Sequence, residues 1–188
     1  MNTQKREFKQ LGGNEQGIAL FLSLVMLLIL TMLGVSSVET TSMQERMARN
    51  AMDSDLAFQA AESAAQDGAD YIENNINTLA PFDAANAASN GFYYSNAYNQ
   101  TPNWKQVDWT STTNLRTGET SIAGVAEQPK YIIEHVETVV SQEDTLNLNN
   151  IGQGTGGGRT QIFRITSYGT GGTSTAHVMI QVTYGKRF

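Results

Sequence analysis

The chain has 188 residues, 12 basic and 18 acidic side chains, a formal net charge of -6, and no cysteine. That length holds one domain of ordinary size. The missing cysteines exclude disulfides, zinc–thiolate sites and a Cys nucleophile, and the acidic balance argues against a nucleic-acid binder led by a basic surface.

Residues 1–17 are hydrophilic and carry Lys5, Arg6 and Lys9 against Glu7 and Glu15. Residues 18–38, IALFLSLVMLLILTMLGVSSV, follow without a single charge. A helix of this length spans roughly 30 Å, about one hydrocarbon core. In lipid only a helix satisfies its own backbone, so the segment is expected to be a transmembrane helix. Basic residues ahead of it and Glu39 behind it place the N-terminus in the cytoplasm and the remainder across the membrane. A cleaved secretory signal would have an apolar region of about 7–15 residues ending in an A-x-A site. The run here is longer, and its nearest match, around Val35 to Ser37, is poor. A plain single-span anchor accounts for the apolar run alone. A charged leader, then Gly17, then an immediate apolar helix resembles a third arrangement, the prepilin signal. That resemblance implies cleavage by prepilin peptidase after Gly17 and a mature chain that starts at an N-methylated Ile18.

The helical pattern continues beyond the apolar run. Met43, Met47, Ala51, Ser54, Phe58, Ala61, Ala65, Ala69, Ile72, Ile76 and Leu79 recur every three or four residues, the period of one helix face. The other face carries Glu45, Arg46, Arg49, Asp53, Asp55, Glu62, Asp67 and Glu73. Glu45–Arg49 and Arg49–Asp53 are i,i+4 pairs worth a few tenths of a kcal/mol each. Pro81 is expected to end the helix. A helix from Ile18 to about Leu79 would be roughly 90 Å long. Its first half belongs in lipid or a partner, and its second half packs on the rest of the chain. The small residues between Ala57 and Ala69 allow another element to approach closely.

Within this helix, residues 41–64 read TSMQERMARNAMDSDLAFQAAESA. Glu45, Arg46, Met47, Ala48, Asn50, Asp53, Phe58, Gln59 and Glu62 resemble the N-terminal block of PilX-type minor pilins of type IV pili. The resemblance covers Gly17 to about Asp70 and returns at the C-terminus in FRITSYGTGGTSTAHVMIQVTY. It implies an α+β, pilin-like fold, with one long N-terminal helix packed on a C-terminal antiparallel sheet.

Residues 81–129 form an irregular region rich in aromatics, with Phe92, Tyr93, Tyr94, Tyr98, Trp104 and Trp109. They either pack a helix-to-sheet loop against the sheet or form a contact surface for carbohydrate or protein. Three strand patterns follow at residues 130–140, 160–168 and 174–184. In the last, Ala176, Val178, Ile180, Val182 and Tyr184 alternate with polar neighbours. Residues 169–173 supply the turn between the last two strands. The three strands are expected to form an antiparallel meander with one face under the helix. The resulting division is a leader at 1–17, a transmembrane half-helix at 18–38, an amphipathic half-helix at 39–80, the aromatic region at 81–129 and the sheet at 130–188.

No chemistry-bearing constellation stands out, so the expectation is no enzyme, no cofactor and no metal. Gly152, Gly154 and Gly157 match G-x-G-x-x-G, but a strand follows where the dinucleotide motif needs a helix. His135 and His177 fall on polar strand faces with no carboxylate cluster at metal spacing. Glu143, Asp144, Asn147, Asn149 and Asn150 could hold calcium, although their spacing is not that of an EF-hand. No Ser sits in a G-x-S-x-G context.

The pilin resemblance gives one absence a meaning. Most pilins carry Glu at the fifth residue after the cleavage site; here Leu22 stands there, and residues 18–38 hold no carboxylate at all. In that family the Glu of an incoming subunit is thought to pair with the N-terminal amine of the subunit above. An unpaired charge in an apolar bundle costs about 2.5–3.5 kcal/mol even on permissive scales. A subunit with Leu22 fits where no amine lies above it, at or near the tip. The resemblance therefore implies a minor pilin that primes assembly of a type IV pilus and supports adhesin display, adhesion and twitching. Its partners would be other minor pilins, a large tip adhesin, the major pilin below, prepilin peptidase, the inner-membrane assembly machinery and membrane lipid, with no nucleic acid. Two alternatives stay open: a Glu-less minor pseudopilin of a type II secretion system, and an unprocessed single-span periplasmic anchor or sensor.

Overall fold

A computed structural model describes residues 15–83, 90–96, 100–140 and 159–187. The elements in order are helix α1 (Glu15–Asn75), a 3-10 turn (Ala80–Phe82), strand β1 (Phe92–Tyr94), a single-turn helix α2 (Asn103–Gln106) and strands β2 (Arg116–Thr117), β3 (Lys130–Val140), β4 (Arg159–Thr170) and β5 (His177–Arg187). The chain divides into two compact units, one ending at Ala48 and one starting at Arg49.

In the first unit α1 is long and apolar enough to cross a membrane. From Ile18 to Ala48 its side chains are exposed, with Val25 alone half-buried. Its hydroxyls are satisfied by the helix itself: Ser23 donates to Leu20 O at 2.8 Å and Thr31 to Leu28 O at 2.8 Å. Local bonding of this kind lets a hydroxyl sit in an apolar environment without an unmet donor.

In the second unit α1 runs from Arg49 to Asn75 through good helix formers, Ala above all. It ends four residues earlier than the spacing to Leu79 predicts. The chain leaves through the 3-10 turn that holds Pro81, and Phe82 is fully buried there. The buried stripe is Ala57, Ala60, Ala61, Ala64, Ala65, Gly68, Ile72 and Ile76. The leading part of the expected stripe lies outside it, Met43 and Met47 being exposed in the first unit and Ala51, Ser54 and Phe58 in the second, whereas Ala61, Ala65, Ile72 and Ile76 are buried as expected. Both sets obey the helical period. The sheet approaches the side that lets backbones come close, and the bulky side chains are left outside. Gly169 of β4 shows how close: a Cβ there would overlap Ala57 O and Ala61 N and lie 2.9 Å from Ala60 C. About two helical turns beyond Ala61, Gly68 marks a second close approach, where a Cβ would lie 2.8 Å from Ile165 Cγ2.

The sheet order is β1-β3-β4-β5, with β2 also paired to β3. The β3–β4–β5 part is the expected antiparallel meander, in register from Lys130↔Tyr168 and from Thr170↔His177. The sheet as a whole is mixed, because β1 runs parallel to β3, with Phe92 opposite Ile133. Its strands β1 and β2 come from the aromatic region, which is too short of alternating apolar residues to announce them. The β4–β5 connection also differs from expectation: Gly169 and Thr170 belong to β4 and are buried, and the turn falls between Gly171 and Ala176, closed by Gly171 N donating to Ala176 O at 2.8 Å.

Both faces of β3 are covered. On the helix side Ile72, Ile76, Phe82, Phe92, Tyr131, Ile133, Phe163 and Ile165 form the main core. On the other side Ile132, Tyr93 and Leu115 form a second cluster, closed by Trp104, Val107 and Trp109. The aromatic region thus serves both faces, with Phe82 and Phe92 in the helix-side core and Tyr93, Trp104 and Trp109 on the face that the helix does not reach. A β-bulge between His135 and Glu137 breaks the alternation. Val136 is 36% exposed beside it. Tyr98, residues 143–150 and the Gly152–Gly157 motif lie outside the described residues.

Candidate functional site

Gly17, Ile18 and Leu22 all lie on α1, which is already helical from Glu15. Gly17 is exposed, and Ile18 and Leu22 are 69% and 65% exposed. These are outward positions on an apolar rod.

The signature residues of the helix divide by the side they face. Glu45, Arg46, Met47, Asn50, Phe58 and Glu62 are exposed, as is Gln59, whose amide donates to Asp55 at 2.9 Å. Asp53 alone turns to the sheet. Its carboxylate accepts from the backbone N–H groups of Gly172 and Thr173 and from the Thr173 hydroxyl. Those bonds, the hydroxyl of Thr173 first, hold the Asp53 carboxyl below its ordinary range. Thr173 in turn shares a hydrogen bond with Thr175 at 3.0 Å. Asp53 therefore fastens the β4–β5 turn to the helix. Asp67 does a similar job for another loop, accepting from Thr120 N at 3.0 Å and Thr120 Oγ1 at 2.9 Å. The periodicity put Asp67 on the outer face with Asp53; its place beside the small-residue stripe, next to Gly68, is the signal that it faces a neighbour.

A second polar cluster lies under the aromatic region. Glu134 of β3 is 1% exposed. It accepts from Arg164 Nε at 3.0 Å and from Asn103 Nδ2 at 2.8 Å. Asn103 also donates to Tyr94 O, and its Oδ1 accepts from Asn96 Nδ2, each at 2.8 Å. Arg164 Nη2 reaches Ser95 Oγ at 2.8 Å. Burial and then the Glu134 charge raise the Tyr93 phenol above its usual range, and its hydroxyl donates to Asn114 O at 2.9 Å. An open cleft of about 490 Å³ borders this network, lined in part by Tyr93, Tyr94, Asn96, Asn103, Gln106 and Asp108.

The two histidines part company. His177 is exposed, as expected, and stacks on Tyr168 at 5.7 Å. His135, expected on a polar face, is 3% exposed and packed against Phe82, Tyr94 and Phe163. It sits on the residue parity of Tyr131 and Ile133, which faces the core. Its Nε2 bonds Gln161 Oε1 at 3.0 Å, an oxygen that also accepts from Thr138, so the network assigns the proton to Nε2.

A long N-terminal helix, apolar at first and then laid by small residues over a sheet, is the architecture of a pilin. The chain belongs to the PilX family of type IV pilus assembly proteins: the PilX N-terminal family model matches residues 16–66, and that of the type IV pilus assembly protein PilX C-term matches residues 82–186. No curated protein and no solved structure matches the chain. The family is one of structural pilus proteins.

Proposed function

We propose that this protein is a minor pilin that primes type IV pilus assembly and sits at or near the pilus tip. The observation that carries the reading is the outward, carboxylate-free helix from Ile18 to Val38, with Leu22 at the position where most pilins hold Glu. Before assembly this segment anchors the protein in the inner membrane, with Lys5, Arg6 and Lys9 on the cytoplasmic side. Prepilin peptidase cuts after Gly17, and Ile18 becomes the methylated N-terminus. In the fibre the segment joins an apolar helix bundle. A subunit placed beneath another would leave that neighbour's N-terminal amine without a carboxylate, at about 2.5–3.5 kcal/mol. The tip is the place where that demand does not arise. From there the protein contacts other minor pilins and a large adhesin, rests on the major pilin, and supports adhesion and twitching. It works by assembly, and neither catalysis nor a cofactor enters this role.

Intact mass and N-terminal peptide mapping of protein from its own membranes test the processing. A chain that begins at N-methyl-Ile18 is expected. A chain that still begins ahead of Gly17, in cells with active prepilin peptidase, would leave an unprocessed membrane anchor instead. Gold labelling of sheared fibres tests the position: label confined to fibre ends is expected, and label along the shafts refutes the tip.

A further inference from the structure

We propose that the open edge of β5 takes up an extended, basic strand of another protein. The inference stands on the second unit alone and does not depend on the pilus-tip reading.

β5 is the outermost strand of the sheet, paired on one side to β4. In an antiparallel pair the N–H and C=O of one residue point the same way, and that direction alternates along the strand. Ala176 O accepts from Gly171 N at 2.8 Å, and Ile180 O accepts from Ser167 Oγ at 3.5 Å. The even-numbered residues thus turn their backbone groups to β4. The register continues without a bulge from Thr170↔His177 to Thr160↔Arg187. Met179, Gln181, Thr183 and Gly185 therefore present theirs outward, and among the described residues no backbone group meets them there.

The opposite edge of the sheet is closed to such pairing. There β1 and β2 have three and two residues, and β3 carries its bulge beyond them. Short edge strands and bulges keep foreign strands off. β5 has neither device: it is 11 residues long, holds no proline, and keeps its Lys and Arg to its last two positions. An edge of this kind is a template for one more strand.

The chemistry of that strand follows from its neighbours. The Tyr184 hydroxyl donates to Glu73 at 2.9 Å, which places the even-numbered side chains of β5 on the helix side. Val178, Ile180 and Val182 share that face, and Val182 is 39% exposed. Apolar side chains at alternate positions of an added strand would pack beside them. Its charge is set by α1. Asp55 and Glu62 lie about five and three whole turns before Glu73, so all three acids fall on one side of the helix, above β5. Each is exposed. From Asn50 to Asn75 the helix holds no Lys or Arg. Lys186, the one base of β5 on this face, is committed to the carbonyls of Ile72 and Glu73. Complementary charge decides which partner fits an interface, so the strand that passes this acidic row is a basic one.

Amide hydrogen exchange followed by NMR on the full chain, in zwitterionic detergent, tests this with the peptide acetyl-KTVTVTVTK-amide. Its lysines stand about 27 Å apart when extended, the span of Asp55 to Glu73 along the helix. The same peptide with Glu for both Lys is the acidic comparison. At millimolar concentration the basic peptide is expected to slow exchange at Met179, Gln181 and Thr183 about tenfold, and the acidic one far less. Thr183→Pro removes an outward N–H without touching the pairing to β4 and is expected to abolish the slowing. Glu62→Lys, at an exposed position, is expected to weaken binding about fivefold. The proposal is overturned if the basic peptide leaves these amides unchanged, if the acidic peptide protects them equally, or if both variants behave like the parent. It is overturned too if the amides are already protected without peptide in a chain that sediments as a dimer, because a second copy then holds the edge.

Discussion

α1 places two kinds of surface on one helix. Residues 18–38 are large and apolar, and the chain covers almost none of them. From Ala57 to Gly68 the inward residues are Ala and Gly, and they are fully buried or nearly so. The more hydrophobic half is thus the one left open. Burial inside this chain follows side-chain size, because β4 approaches until Gly169 meets the helix backbone. Burial of the other half has to come from lipid or from other subunits. The second surface is built for self-packing and the first for company, and substitutions should separate the two.

The largest effect is expected in the core beneath the small-residue stripe. Phe163 is fully buried against Phe82, with ring centroids 5.4 Å apart. Phe163→Ala should destabilise the second unit by about 3–5 kcal/mol, read as a lower denaturant midpoint of Trp104 and Trp109 fluorescence. Gly169→Ala comes next. The added methyl has backbone on three sides and cannot be accommodated by a rotamer change, so a loss of about 3 kcal/mol is expected. An unchanged midpoint for Gly169→Ala would mean that the helix does not lie against β4 as described. Glu134→Ala should remove about 2 kcal/mol, since it takes one acceptor from each of Asn103 and Arg164.

The sequence made one of these surfaces plain and hid the other. The apolar run needed only its length and lack of charge to be read as a helix for lipid. The meander was legible too, because β5 alternates and β3 begins and ends where its pattern does. The stripe was right from Ala61 onward, where Ala61, Ala65, Ile72 and Ile76 are buried, and wrong before it, because a period of 3.6 cannot choose between Phe58 on one side and Ala57 and Ala60 on the other. Only the sheet's closeness decides, and that closeness resides in a distant glycine. Strands β1 and β2 are too short to show a period of two. Of the named helix residues, Asp53 acquired a visible role inside the chain, and the exposed ones, Arg46, Asn50 and Phe58 among them, face outward, where a partner would be needed to explain them. His135 was misplaced because the alternation was read with no fixed point to say which parity faces the core.

Asp53 gives a smaller, pH-dependent test. Its folded carboxyl lies below the ordinary value of 3.8 because Thr173 and the turn amides bond its charged form. Below that ordinary value the unfolded chain takes up a proton that the folded chain resists. The stabilisation is therefore fully present above about pH 4 and is lost as pH falls through the folded value. Asp108, lowered chiefly by the Thr110 hydroxyl, titrates in the same direction, so the comparison has to be made between the parent and Asp53→Asn. The variant should melt lower than the parent at pH 7, and the gap should narrow on the way to pH 3. A constant gap would assign the turn's attachment to packing alone.

The smallest effect on folding should come from the most hydrophobic region. Leu30 is 62% exposed, so Leu30→Ala removes no contact from the core of the second unit. Its unfolding midpoint should move by less than about 0.5 kcal/mol, as for other exposed positions. The same substitution removes methyl and methylene groups that lipid or neighbouring helices would cover, each worth about 0.8 kcal/mol when buried. Leu30→Ala should accordingly weaken membrane retention or incorporation into fibres while leaving the fluorescence transition in place. Phe163→Ala should do the reverse to the transition. If Leu30→Ala shifted that transition as far as a core substitution does, the apolar half of α1 would be packing within its own chain, and the division between the two surfaces would fail.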